Sequence, residues 1–530
     1  MSTPNPNRYA RPGEAAVLRE SIAYDLLDLA ALENRAAEAE IRYFAARAAT
    51  QAAQEVEDSS RTIAAILAGR VFALKTQIAE QSALLHPIRR VPEEVLADIF
   101  CACLQSAHAD LQQVEREGSA WKECDKMVQT TPFNTSLVCQ SWRRAALSCP
   151  SLWSVLVYTY TSDEDDASRF FSLHANRSGN LPLHVYLRWH GVQSYVDYSV
   201  CAEIQSCFQR TAALHLRFDK HGALMAGLVS NSCPLPALRD VSVRVDGPSS
   251  SEMTDWCLPS APSLRNIVIS DILPRWDSQL VTLTAAECLI MQTNSRQMVT
   301  VKQIQRIATL MPNLQSLELQ CPGMVAFGGQ ASDFNRFPLA NLRQLYFSMD
   351  EPGHEIILPL LLLPALEELT IHRMLHPVTP FIEQLVRDPA HAVHLRKLDL
   401  GSSATDGSLG LAVAQLVGLQ ELIIGHGILQ DDFFEALRYP ATHTGSDAMP
   451  APNLTRIKLC QGSIFLPTTD GSAFIQLVRS RMTVRPGVMP LKEIMVEDTD
   501  DAVPMQKHFR TALHDMDNLT LQFISVKHDE

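Results

Sequence analysis

Three rhythms of apolar residues follow one another along the chain. The first is a heptad. Between Pro12 and Pro87 there is no proline, and after Gly13 the only glycine is Gly69. The stretch is rich in Ala, Glu, Leu, Gln and Arg, all good helix formers. One frame runs through it as Ile22, Leu29, Ala36, Tyr43, Thr50, Glu57, Ala64, Val71, Ile78 and Leu85. Its companions three residues on are Asp25, Leu32, Ala39, Ala46, Ala53, Ser60, Leu67, Leu74 and Gln81. The seam is apolar at both ends and polar at Thr50, Glu57 and Ser60. It predicts either one long coiled-coil helix over 14–85 or an antiparallel hairpin turning near 57–60. A lone helix would expose its seam, so it needs a partner: a second copy of the chain or its own other half. Residues 1–13, polar and proline-rich, are expected to be disordered.

The second rhythm is shorter. Pro92 suits a first helical turn, and Glu93 and Glu94 complement a helix N-terminus. Val95, Leu96, Ile99, Phe100 and Cys103 continue as a helical stripe. A second helix is expected over about 134–148, presenting Leu137, Val138, Trp142 and Leu147 with Arg143 and Arg144 outside. Pro150 ends it, and 152–158 reads as extended. Residues 105–132 stand between the two as an insert, and 158–180, with the acidic run 163–166, reads as a solvated linker.

The third rhythm fills the remainder. Residues 181–187 alternate like a strand. A phrase then recurs with leucine or a close relative at its first, fourth and sixth positions. Examples are Leu238-Arg-Asp-Val-Ser-Val243, Leu314-Gln-Ser-Leu-Glu-Leu319, Leu366-Glu-Glu-Leu-Thr-Ile371 and Leu395-Arg-Lys-Leu-Asp-Leu400. The first leucines are Leu238, Leu264, Leu314, Leu342, Leu366, Leu395, Leu419, Leu454 and Leu491, spaced by 26, 50, 28, 24, 29, 24, 35 and 37. The gap of 50 holds a degenerate copy at 284–290. Helical pieces are expected between phrases, at 301–310 and 381–386. No such repeat buries its leucines alone, so the array folds as a unit. The residue between the second and third leucines faces the opposite side: Ser242, Val268, Glu318, Tyr346, Thr370, Asp399, Ile423, Lys458 and Met495.

Two of these segments resemble known families. Residues 86–157 resemble the F-box. Val91-Pro92-Glu93-Glu94-Val95-Leu96 with Ile99-Phe100 matches its first helix, Leu137-Val138-Cys139 with Trp142-Arg143 and Ala146 its second, and Pro150-Ser151-Leu152-Trp153 its close. Departures are Val91 for leucine, Gln140 for a basic residue, and the insert. The arrangement of helix and motif is similar to F-box proteins expanded in mushroom-forming fungi. The region 181–530 resembles irregular leucine-rich repeats, whose period is ~20–29 residues; an ordinary mixed α/β sheet is the alternative. The resemblances imply an α/β solenoid, the leucine-rich-repeat horseshoe, preceded by a small all-α F-box domain and the N-terminal coiled coil or hairpin. They also imply an adaptor rather than an enzyme: the F-box docks on a Skp-type adaptor and through it a cullin, and the repeats hold a protein substrate near a ubiquitin-charged partner. The adaptor-binding set is then Val91, Pro92, Val95, Leu96, Ile99, Phe100, Leu137, Val138, Cys139, Trp142, Leu152 and Trp153. The substrate-facing set is Glu318, Tyr346, Thr370, Asp399, Ile423 and Lys458. The competing reading is an interaction scaffold with no ubiquitin-ligase role.

Composition narrows the classes further. Of 530 residues, 46% are hydrophobic and 20% charged, which is ordinary globular usage. A net charge of −14 disfavours a nucleic-acid footprint or a polybasic membrane patch. The twelve cysteines form no Cys-x-x-Cys pair, which argues against zinc ribbons; buried reduced thiols such as Cys288 and Cys321 are expected. No apolar leader or spanning run stands out, so a cytoplasmic or nuclear location is expected. His372 and His376, and His391 and His394, lack the acidic companions of a metal site, and the glycine-rich stretches match no phosphate loop. No metal, cofactor or catalytic residue is expected.

Overall fold

A computed structural model describes residues 12–49, 54–117, 122–160, 164–189, 207–219, 235–246, 258, 260–274, 276, 282–293, 299–321, 335–348, 357, 360–372, 378–387, 393–401, 407–425, 427–440, 449–460, 463–465, 472–483, 489–498, 511–514, 516 and 519–525. The chain divides into two compact units, Met1–Val157 with His174–Leu181, and Tyr158–Leu173 with Pro182–Glu530.

The helical unit opens with α1 (Pro12–Ala49) and α2 (Gln54–Leu85), which pack on one another. Residues 50–53 reach at most about 14 Å, while α1, 38 residues long, spans about 57 Å. The second helix must therefore return along the first. The hairpin alternative holds, but the turn is not at 57–60. Those residues lie inside α2. The heptad phase is right. In α2 the half-buried residues include Ala64, Leu67, Val71, Leu74, Ile78, Gln81 and Leu85. In α1 Ala15, Leu32 and Ala39 are buried. Exposed ion pairs Asp28–Arg70 at 3.6 Å and Glu33–Lys75 at 3.1 Å join the helices and add little energy each. Of the seam positions, Thr50 and Ala53 lie outside the described residues, as do residues 1–11 of the expected disordered terminus.

A 3-10 turn (Pro87–Arg90) leads into α3 (Glu93–Glu117), α4 (Lys122–Leu137) and α5 (Gln140–Leu147). Two expectations change here. The insert 105–132 largely continues the helices: α3 runs through it to Glu117 and α4 begins within it, Leu104, Ala107, Leu111 and Val128 being buried. The single helix over 134–148 is two helices. Cys139, extended at φ −161° and ψ 173°, ends one and starts the next, its carbonyl accepting from Arg143 N at 2.9 Å. After α5 a 3-10 turn (Pro150–Trp153) precedes β1 (Val155–Tyr160), so of 152–158 the four residues 155–158 are strand and 152–154 are not. The expected linker is not a loop, because α6 (Glu164–Arg177) occupies most of it and buries Phe171 and His174.

The second unit is a large parallel sheet with helices. Its strands are β2 (Leu183–Trp189), β3 (Thr211–Asp219), β4 (Asp240–Asp246), β5 (Asn266–Ser270) and β6 (Cys288–Gln292). After α7 (Val301–Leu310) come β7 (Ser316–Gln320), β8 (Phe337–Pro338), β9 (Gln344–Ser348), β10 (Leu361–Leu362) and β11 (Glu368–His372). Then follow α8 (Thr379–Arg387), β12 (Lys397–Asp399), α9 (Gly407–Ala414), β13 (Glu421–Ile424), β14 (Gly427–Leu429) and α10 (Asp431–Leu437). The chain continues through β15 (Arg456–Leu459), β16 (Ser463–Phe465), α11 (Ser472–Met482), β17 (Glu493–Asp498) and β18 (Thr520–Ser525). The main sheet keeps chain order, skipping only β8, β10, β14 and β16, which form two small parallel pairs of their own.

Register stacks the repeated phrase on itself. Val241, Ile267, Leu289, Leu317, Leu345, Leu369, Leu398, Leu422, Ile457 and Ile494 form one row across the strands, all buried. Leu238, Leu264, Leu314, Leu342, Leu366, Leu395, Leu419, Leu454 and Leu491, each at most 1% exposed, fill a second layer. The gap of 50 holds β6, with Leu289 and Met291 in the buried positions. Two devices hold consecutive strands together. A carbonyl just before each strand, such as those of Arg265, Glu287 and Gln315, accepts two successive amides from the next. The asparagine before the first leucine reaches back to the preceding turn: Asn313 Nδ2 to Thr284 O at 2.9 Å, Asn341 Nδ2 to Pro312 O at 3.0 Å and Asn453 Nδ2 to Val417 O at 2.8 Å. A reciprocal cap from Thr300 and Gln303 starts α7. Near the far end, Arg481 is wholly buried and donates to Tyr439 Oη and to the carbonyls of Ala451, Leu437 and Pro450 at 2.7–3.0 Å.

Candidate functional site

The twelve residues expected to bind an adaptor divide by burial, a division their spacing did not reveal. Leu96, Phe100, Leu152 and Trp153 are at most 2% exposed, and Cys139 is buried. They are the interior of the helical unit and cannot meet a partner. Trp142 is half-buried with its ring 4.9 Å from that of Phe100, and Val91 is half-buried as well. The surface belongs to the others: Leu137 is 71% exposed, Val138 57%, Val95 46% and Ile99 44%, with Pro92 exposed too. Val95 and Ile99 are four apart and share a face of α3. Leu137 and Val138 sit at the corner where α4 gives way to α5. That corner is exposed because the extended Cys139 turns the chain there. Glu93 and Arg144 pair at 2.6 Å between the starts of α3 and the end of α5.

Beneath this surface, Trp153 organises the core. Its Nε1 donates to Ala146 O at 2.8 Å, and Phe133 meets its ring edge-on at 5.5 Å. The Arg177 guanidinium lies 4.3 Å above it. The His174 ring is 5.3 Å away, and its Nδ1 lies 3.2 Å from Trp153 O, so Nδ1 carries the proton. Burial lowers the His174 pKa to about 4; the Arg177 charge adds to this and the carbonyl opposes it. His174 is therefore neutral near pH 7.

On the sheet, the residues expected to face a substrate do share one register row: Ser242, Val268, Glu318, Tyr346, Thr370, Asp399, Ile423, Lys458 and Met495, with Ile290 supplying the degenerate copy. Most are half-buried. Ile423 and Ser242 are buried and offer little contact. His372, two residues beyond Thr370, joins the row: its Nε2 is 3.5 Å from Asp399 Oδ2 and its ring 5.3 Å from that of Tyr346. Asp399 Oδ1 also accepts from Gly401 N at 3.2 Å. His376 and His391 lie outside the described residues.

A second feature went unread. Arg188, Arg217 and Arg244 stand in register on β2, β3 and β4. Arg188 and Arg217 are buried, and Asp246 pairs with Arg217 at 2.5 Å and with Arg244 at 3.5 Å. Beside them Tyr186 and His215 stack at 4.2 Å, nearly parallel. The signal was present: Val185-Tyr-Leu-Arg188, Leu214-His-Leu-Arg217 and Val241-Ser-Val-Arg244 repeat one pattern.

Burial pushes the Cys321 thiol up to about 11 and raises Cys288 too, so both are protonated near pH 7. Cys288 is half-buried rather than fully buried. Among the described residues no group of three His, Cys, Asp or Glu could hold a metal ion, and no helix is long and apolar enough to cross a membrane.

No family model matches the chain, and no curated protein matches it.

Proposed function

We propose that this protein is the substrate-recognition subunit of a Skp–cullin–F-box type ubiquitin ligase. In this reading the segment 86–157 is the F-box and docks on the Skp-type adaptor. The parallel sheet is a leucine-rich-repeat array of the solenoid type, and its half-buried row presents a surface to a protein substrate. The chain makes and breaks no bond itself; it raises the local concentration of a substrate lysine beside the charged ubiquitin carrier. One observation carries the reading. Of the apolar positions that match the F-box pattern, one subset is buried around Trp153, while Val95, Ile99, Leu137 and Val138 stand in solvent. Large apolar side chains left exposed within an ordered motif suit an interface, where a few such anchors supply most of the binding energy.

The test is co-purification of the full chain with a Skp-type adaptor. Ile99→Asp and Leu137→Asp remove exposed anchors, so the chain stays folded by circular dichroism while adaptor capture falls at least tenfold. Leu96→Ala instead loosens the core and lowers the unfolding temperature. Wild-type capture by a folded Ile99→Asp, Leu137→Asp double variant would remove the docking assignment. Failure of the wild type to bind any Skp-type adaptor would leave the scaffold reading in its place.

A further inference from the structure

Cys101 on α3 and Cys149, which precedes the Pro150–Trp153 turn, are 48 positions apart, yet their Sγ atoms lie 3.1 Å from each other. Ser151 Oγ lies 3.0 Å from the first and 3.2 Å from the second. Cys149 is buried and Cys101 half-buried, and both are reduced. The sulfurs would need to approach by only about 1 Å to reach bonding distance. We propose that Cys101 and Cys149 are a disulfide-forming site of the helical unit, closed by a hydroperoxide and reopened by a thiol reductant.

The chemistry balances in two steps. The thiolate of the more accessible Cys101 attacks one peroxide oxygen. The O–O bond breaks, the other oxygen takes up a proton and leaves as water from hydrogen peroxide, or as an alcohol from an organic hydroperoxide, and a sulfenic acid remains. The Cys149 sulfur then attacks that sulfenic sulfur, its own proton leaving with the hydroxyl as water. Two thiols are oxidised and one peroxide is reduced. Burial pushes the Cys101 thiol up to about 11; the Ser151 contact opposes this, and the nearness of Cys149 and Asp98 adds to it. Little of Cys101 is thiolate near pH 7, so closure needs sustained rather than brief oxidant. The bond would tie α3 to the turn beneath Trp153 and close a loop containing α4 and α5, removing freedom from the unfolded chain. This inference is independent of the adaptor reading.

The full reduced chain is desalted, exposed to hydrogen peroxide and digested without reduction. Exposed Cys103 serves as an internal reference for oxidation. The expected product is one peptide pair joining Cys101 to Cys149, lighter by two hydrogens and split by dithiothreitol. The thermal midpoint of the oxidised chain rises and returns on reduction. Cys103→Ser leaves both effects intact. Cys149→Ala removes both, and so does Cys101→Ala at its half-buried position, where folding is less at risk. Sulfinic or sulfonic acid at Cys101 without the pair, cross-links only through Cys103, or intact Cys101 and Cys149 when Cys103 is oxidised would each overturn the site. An unchanged midpoint in a cross-linked sample would overturn the restraint.

Discussion

His174 makes the stability of the helical unit depend on pH in a window set by its burial. Unfolded, it titrates near 6.5; in the fold its pKa is lowered to about 4. Between those values the unfolded chain binds a proton that the folded chain refuses, so stability rises with pH across the window and is complete above it. A gap of this size is worth about 3 kcal/mol once pH falls below 4, of which about 2 kcal/mol is lost between pH 7.5 and pH 5. His174→Asn keeps a donor for Trp153 O but does not titrate. The variant is less stable at pH 7.5, and its deficit against the wild type should shrink by about 2 kcal/mol at pH 5. Hydrogen–deuterium exchange of peptides covering residues 140–153, corrected for intrinsic rates, reads the opening free energy of this unit separately from the sheet. Carboxylates titrate alike in both proteins and cancel in the difference. Parallel pH curves for wild type and variant would refute the reasoning, since they would mean that the ring accepts a proton in place.

Other consequences follow from the packing. Leu317→Asp, Leu369→Asp or Leu398→Asp places a charge in a wholly buried row and should unfold the sheet, whereas Thr370→Ser changes stability by less than about 0.5 kcal/mol; circular dichroism with urea compares them. Arg481→Met leaves Tyr439 Oη and three carbonyls without their donor and should cost about 3 kcal/mol or more, read as a lower urea midpoint. Because α1 and α2 satisfy their seam within one chain, light scattering at micromolar concentration should give 58.8 kDa, and twice that mass would refute this expectation.

Periodicity was legible wherever one backbone repeat dictates which side a residue faces. The heptad frame named the α2 seam from Ala64 to Leu85, and the recurring leucines placed Glu318, Tyr346, Thr370 and Asp399 in one row before any strand was seen. Both follow from local geometry, 3.6 residues per helical turn and alternation in a strand, which the amino-acid order carries by itself. Tertiary structure decided the rest. Leu96 and Val95 are adjacent and equally apolar, yet one is at the core and the other 46% exposed, because α4 and α5 pack on α3 and leave its Val95 face uncovered. The break at Cys139 turned one expected helix into two and put Leu137 and Val138 into solvent. Residues far apart in the chain, such as Cys101 and Cys149 or Trp153 and His174, meet only through packing. A side chain's face is a local property, but its burial depends on which other element arrives there, and contacts distant along the chain decide that.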